Sequence, residues 1–141
     1  GRTYTFKLFP NITFHDGKPC TAEDVIFTCT KMLIETHPRA RGTFQRVEKA
    51  EAPDPLTVVF TLKEPFAPFL SSFDCTTAPI QPKHIYEGTD YRNNPANARA
   101  IGTGPFKLQE WVRGSHVHLA RHEGYYRQGE PYLDQIIYRV I

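Results

Sequence analysis

The chain has 141 residues, of which 40% are hydrophobic and 13% aromatic, and carries a formal charge of +2. This composition excludes a disordered tail, and no apolar run approaches the roughly 20 residues that a membrane-spanning helix needs. The charge is dispersed, the densest basic stretch being Arg39, Arg41 and Arg46, so no field is present that would draw nucleic acid or an anionic membrane.

In chain order, Tyr4 to Phe9 alternates apolar Tyr4, Phe6 and Leu8 with polar Thr5 and Lys7, the period-two pattern of a half-buried strand. Pro10-Asn11 turns the chain, and His15-Asp16-Gly17-Lys18-Pro19 reads as a loop after Ile12 to Phe14. Thr21 can then cap a helix whose first turn holds Glu23 and Asp24 against its positive end. Apolar Ala22, Val25, Ile26, Cys29, Met32 and Leu33 follow at helical spacing, until Pro38 stops the run. Arg39 to Gln45 is expected to be a loop. Strands are predicted around Arg46 to Glu51 and Leu56 to Lys63, separated by Ala52-Pro53-Asp54-Pro55, whose prolines argue for a connection.

Further on, Phe66, Phe69, Leu70 and Phe73 repeat at helical spacing, and Pro82 can open a short helix through Tyr86. Gly88 to Ala100 is polar and aperiodic and reads as a loop. Phe106 to Val112 and His116 to Arg121 flank Arg113-Gly114-Ser115 as a hairpin, and Gln135 to Ile141 is strand-like. Interspersed helices, strands and hairpins give a mixed α/β fold rather than a purely parallel sheet. The chain starts at Gly1 without an initiator Met and ends inside a strand-like run, so both ends are expected to lie within a longer polypeptide. Cys20, Cys29 and Cys75 form neither a disulfide framework nor a CxxC pair. One bridge with a spare thiol and three buried thiols both remain open, the latter favoured because free cysteine packs as a small hydrophobe.

Few residues promise chemistry. His15-Asp16 resembles a metal-dependent hydrolase dyad but lacks further ligands nearby, and Asp16-Gly17 is better read as a turn. His116 and His118 share a strand face and, with His122 or Glu123, could hold a transition metal; a solvated strand face is the simpler reading. Ser71, Ser72 and Cys75 have no adjacent activating histidine. Gly102-Thr103-Gly104 leads into Pro105 and a strand, which does not make a phosphate-binding turn. No cofactor, metal or catalytic residue is assigned. A metal-dependent hydrolase using His15, Asp16, His116 and His118, and a free-standing interaction module, are the alternatives to the reading that follows.

Tyr4-Thr5-Phe6-Lys7-Leu8, Phe14-His15-Asp16-Gly17-Lys18-Pro19, Thr21-Ala22-Glu23-Asp24-Val25, Leu62-Lys63-Glu64-Pro65 and Ile101-Gly102-Thr103-Gly104-Pro105-Phe106, in this order, resemble the family 5 solute-binding proteins of ABC importers. Ala78-Pro79-Ile80, Trp111, Tyr125-Tyr126 and Gly129 to Asp134 extend the resemblance along the chain. The resemblance implies part of the first lobe of a type II periplasmic-binding-protein-like fold, with residues 1–100 as a small subdomain and 101–141 as the crossover and strands returning to the main sheet. It also implies a periplasmic or extracytoplasmic parent, lipid-anchored in some settings, that captures a peptide or similar small solute without covalent chemistry and presents it to an importer permease. Both the motifs and the resemblance make Gly102, Gly104 and Pro105 a crossover or hinge, glycine permitting angles closed to other residues and proline fixing the next step. Phe44, an aromatic in the expected loop without a periodic partner, is the candidate ligand contact.

Overall fold

The first strand, β1 (Thr3–Lys7), places Tyr4 and Phe6 on the face that packs against the core, as the alternation requires. The computed structural model describes residues 1–141, and these divide into two units. One consists of Gly1–Pro10 and Thr21–Asn94, the other of Asn11–Cys20 and Pro95–Ile141.

In the first unit β1 pairs antiparallel with β3 (Thr57–Leu62), and β3 with β2 (Val47–Asp54), in the order β1-β3-β2. Helix α1 (Ala22–Phe27) packs on β2 and β3 and continues through a π-helical turn, Thr28–Met32, into α2 (Leu33–Thr36). At its start Asp24 folds back on Thr21, accepting from the Thr21 backbone N–H at 2.8 Å and hydroxyl at 3.1 Å. Its other oxygen accepts from the Lys83 N–H at 2.9 Å, so a buried carboxylate ties α1 to α4 (Lys83–Tyr86). At the π turn, the Thr28 hydroxyl accepts from the Gln81 N–H at 2.9 Å, a second link to the same segment.

The core of this unit is aromatic. Phe44, Phe60 and Phe69 are buried, and Phe69 lies 4.8 Å from the Tyr4 ring and 5.8 Å from the Phe60 ring between centroids. Each such side chain contributes roughly 1.5–3 kcal/mol by leaving water.

Two expectations are corrected here. Arg39 to Gln45 is not a loop: Pro38 begins helix α3 (Pro38–Phe44), its missing N–H costing nothing in the first turn, and His37 Nδ1 accepts from the Ala40 N–H at 3.1 Å. Proline therefore ends one helix and starts the next. The strand β2 also runs through Pro53, because it is an edge strand whose pairing is already irregular between Glu51 and Asp54.

The second unit holds an antiparallel sheet, β4 (Phe106–Val112), β5 (His116–Arg121) and β6 (Gln135–Arg139), in that order. The predicted β4–β5 hairpin is present, turned by Gly114 at φ 76°. Like residues 95–100, the segment Asn11–Cys20 is expected within the 1–100 subdomain but groups with this unit. It is a small loop closed by a Thr13–Pro19 bridge, with Phe14 buried and Gly17 at φ 84°. Its anchoring bonds run to residues 102–124, far along the chain, which sequence distance alone does not reveal. All three cysteines are free, Cys20 and Cys29 buried and Cys75 exposed. Burial pushes the Cys29 thiol up to about 12, which keeps it protonated.

Candidate functional site

The second unit brings the His15 loop and the Gly102–Pro105 segment together through an imidazole clasp. The backbone of His15 donates to the Gly102 carbonyl at 2.9 Å. Its ring closes two further bonds: Nδ1 accepts from the Gly102 N–H at 3.2 Å, and Nε2 faces the Gly104 carbonyl at 3.0 Å. From the end of β5, His122 Nδ1 faces the same Gly104 carbonyl at 3.2 Å, while its backbone N–H donates to the Pro105 carbonyl at 2.9 Å. The two imidazoles lie edge to face with centroids 4.9 Å apart. Thr13 Oγ1 stands 3.5 Å from His122 Nε2 and 3.4 Å from the Gly124 carbonyl, supporting the ring from behind.

Burial is the largest influence on the His15 ring and lowers its pKa from 6.5; the fields of His122 and Lys107 act in the same direction, against the Gly104 and Ala100 carbonyls. A cleft of about 480 Å³ opens beside the ring, bordered by Asp16, Arg99, Lys107, Trp111 and Arg113. Arg113 stacks over Trp111 at 5.2 Å from the ring centre, leaving Trp111 half exposed.

The expected site residues fare differently. Gly102 and Gly104 do lie at the centre of this cluster, but neither uses the left-handed angles invoked for them. A Cβ on Gly104 would meet nothing within 4 Å, and one on Gly102 only His15 Cε1 at 3.8 Å. What they contribute is backbone: one N–H and two carbonyls held by two histidines. Phe44 presents no surface for a solute: only 1% exposed, its ring lies 5.5 Å from that of Phe73 and 6.1 Å from that of Phe69. The lack of a partner at regular spacing concealed a core contact made across the fold.

The histidines invoked for a hydrolase do not converge as ligands. His116 Nε2 pairs with Glu110 at 3.0 Å, His118 Nε2 with Gln135 at 2.8 Å, and Asp16 accepts from the Lys18 N–H at 3.1 Å. No group of three or more His, Cys, Asp or Glu side chains is arranged to hold a metal ion. In the sequence His122 suggests only a metal ligand, whereas in the fold it closes the clasp with His15. No local pattern marks it, because its partners are backbone atoms and a residue more than a hundred positions away.

Comparison with known proteins gives this arrangement its setting. All of residues 1–141 match the family described as Bacterial extracellular solute-binding proteins, family 5 Middle. The chain is 36% identical over 146 residues to the oligopeptide-binding protein AppA of Bacillus subtilis, covering 100% of this chain and 26% of that protein. The structure of AppA in complex with a nonapeptide superimposes with a TM-score of 0.81 at 34% identity, covering 100% of this chain and 29% of that one. NikZ from Campylobacter jejuni, in complex with Ni(L-His), matches with a TM-score of 0.88 at 26% identity, covering 100% of this chain and 28% of that one. The chain thus spans about a quarter of the length of the relatives it matches. Its mixed helix-and-sheet fold is part of a periplasmic-binding-protein fold. The ordered motifs, the fold and the family match over all 141 residues lead to one conclusion: the chain belongs to the family 5 extracellular solute-binding proteins.

Proposed function

We propose that this chain is a scaffold segment of the first lobe of a solute-binding protein that captures peptides or related small solutes outside the cytoplasm and delivers them to an ABC importer permease. The observation that carries the reading is the family match over all 141 residues, joined to the fold shared with the nonapeptide complex of AppA. Capture is non-enzymatic: solute stabilises one arrangement of the protein through contacts made only there, and the importer recognises that arrangement. Residues 1–10 and 21–94 serve as a small subdomain, and residues 101–141 carry the chain back to the lobe's main sheet. Gly102, Gly104 and Pro105 form the crossover segment at that passage. Support for this role comes from the density of backbone bonds there, since a segment that redirects the chain functions only if its path is held.

The test is calorimetric titration of di-, tri- and nonapeptides and of Ni(L-His) into the full-length protein and into the 141-residue chain in parallel. Binding by the full-length protein alone is expected, because the chain holds about a quarter of such a protein. Tight, selective binding by the 141-residue chain would refute the scaffold reading. Absence of binding to every solute by the full-length protein would refute peptide or chelate capture.

A further inference from the structure

We propose that His15 is the positioning residue of the Gly102–Pro105 segment, holding it through a neutral ring protonated only at Nε2 and releasing it when a second proton arrives at Nδ1. The protonation state follows from partners that do not titrate. The Gly102 N–H is a donor at every pH, so the Nδ1 it meets at 3.2 Å must offer a lone pair. The Gly104 carbonyl is only an acceptor, so the Nε2 facing it at 3.0 Å must carry the proton. One neutral tautomer satisfies both. A doubly protonated ring would set N–H against N–H at the Gly102 contact, and an unmade bond at a partly buried donor costs more than its formation contributes.

The surroundings oppose the charged ring further. His122 faces it from the end of β5, Lys107 from β4, and Arg99 and Arg113 border the adjoining cleft. Asp16 and Glu110 are the acidic groups on that border, and the Ala100 and Gly104 carbonyls also favour a proton. The balance lowers the pKa of His15, burial being the largest contribution. The sign follows: the unfolded chain takes up the proton more readily, so the clasp is at full strength above the ordinary value of about 6.5 and weakens as pH falls below it, until the lowered value is passed. His122 is the second arm, because its Nδ1 and backbone N–H grip Gly104 and Pro105 from the opposite strand. An extracytoplasmic protein meets changes of external pH directly, and this clasp would couple them to the path of the crossover.

The inference rests on the crossover reading of Gly102–Pro105, yet it is tested without solute, so either can fail alone. In the full-length protein with ¹⁵N-labelled histidine, long-range ¹H–¹⁵N correlation at pH above about 7.5 should show His15 as the Nε2–H tautomer. Hydrogen exchange at the Gly102 amide, corrected for its intrinsic pH dependence, should lose about tenfold or more in protection as pH falls to about 5. In His15→Asn, whose carboxamide oxygen can accept the Gly102 N–H without titrating, protection should stay within about twofold over that range. An Nδ1–H tautomer for His15, or an equal fall of protection in both proteins, would overturn the proposal. Should the variant not fold, the wild-type tautomer and exchange profile decide: an Nδ1–H ring or pH-independent protection at Gly102 overturns it.

Discussion

The two units are stabilised in different ways. The first closes around buried Phe44, Phe60, Phe69, Val58 and Leu62, so its stability resides in side chains removed from water. The second has few fully buried side chains, leaves Trp111 and Ile137 about half exposed, and leaves Tyr132, Leu133 and Tyr138 more exposed still. It relies instead on its ladders, the His15–His122 clasp and links such as the Arg121–Asp134 ion pair. Apolar burial is insensitive to pH near neutrality, whereas a clasp closed by the His15 ring is not. One fragment therefore combines a passive scaffold with a region whose cohesion responds to protons.

The contrast can be broken at several points. Phe69→Ala should have the largest effect, lowering unfolding free energy in urea by about 3–5 kcal/mol, because the ring is fully buried among four other aromatics. A loss below about 1 kcal/mol would mean that the core repacks and that the contrast between units is overstated. Asp24→Ala should cost about 2 kcal/mol by the same measurement, since it strands the Thr21 and Lys83 amides that the buried carboxylate satisfies. Smaller again is the pH effect: thermal midpoints should fall between about pH 6.5 and 5 in the wild type, with a shallower fall in His15→Asn. Equal slopes would place the sensitivity elsewhere. Trp111→Ala should change stability least, by about 1 kcal/mol or less, as its ring is half exposed and stacks on Arg113. A cost above about 2 kcal/mol would show that the second unit, too, depends on side-chain burial.

Much of the fold was legible in the residues. Period-two alternation located β1, three-and-four spacing located the helix from Ala22, and Gly114 located the β4–β5 turn, since each signal depends on neighbours in the chain. Pro38 and Pro53 misled for a related reason. A proline forbids one donor but does not say whether that donor was needed, and at a helix start or on an edge strand it is not. The burial of Phe44 has no local signal because its partners, Phe69 and Phe73, lie in another segment.

What the sequence alone determined is therefore the family, the mixed fold and the local elements, because ordered motifs and periodicity are properties of a linear string. Tertiary structure decided what the motifs are for. His15 and Gly102–Gly104 stand apart in the sequence, yet ring and backbone meet at hydrogen-bonding distance. The glycines serve through their amides rather than their angles, and no pattern of side chains encodes a bond made by backbone atoms.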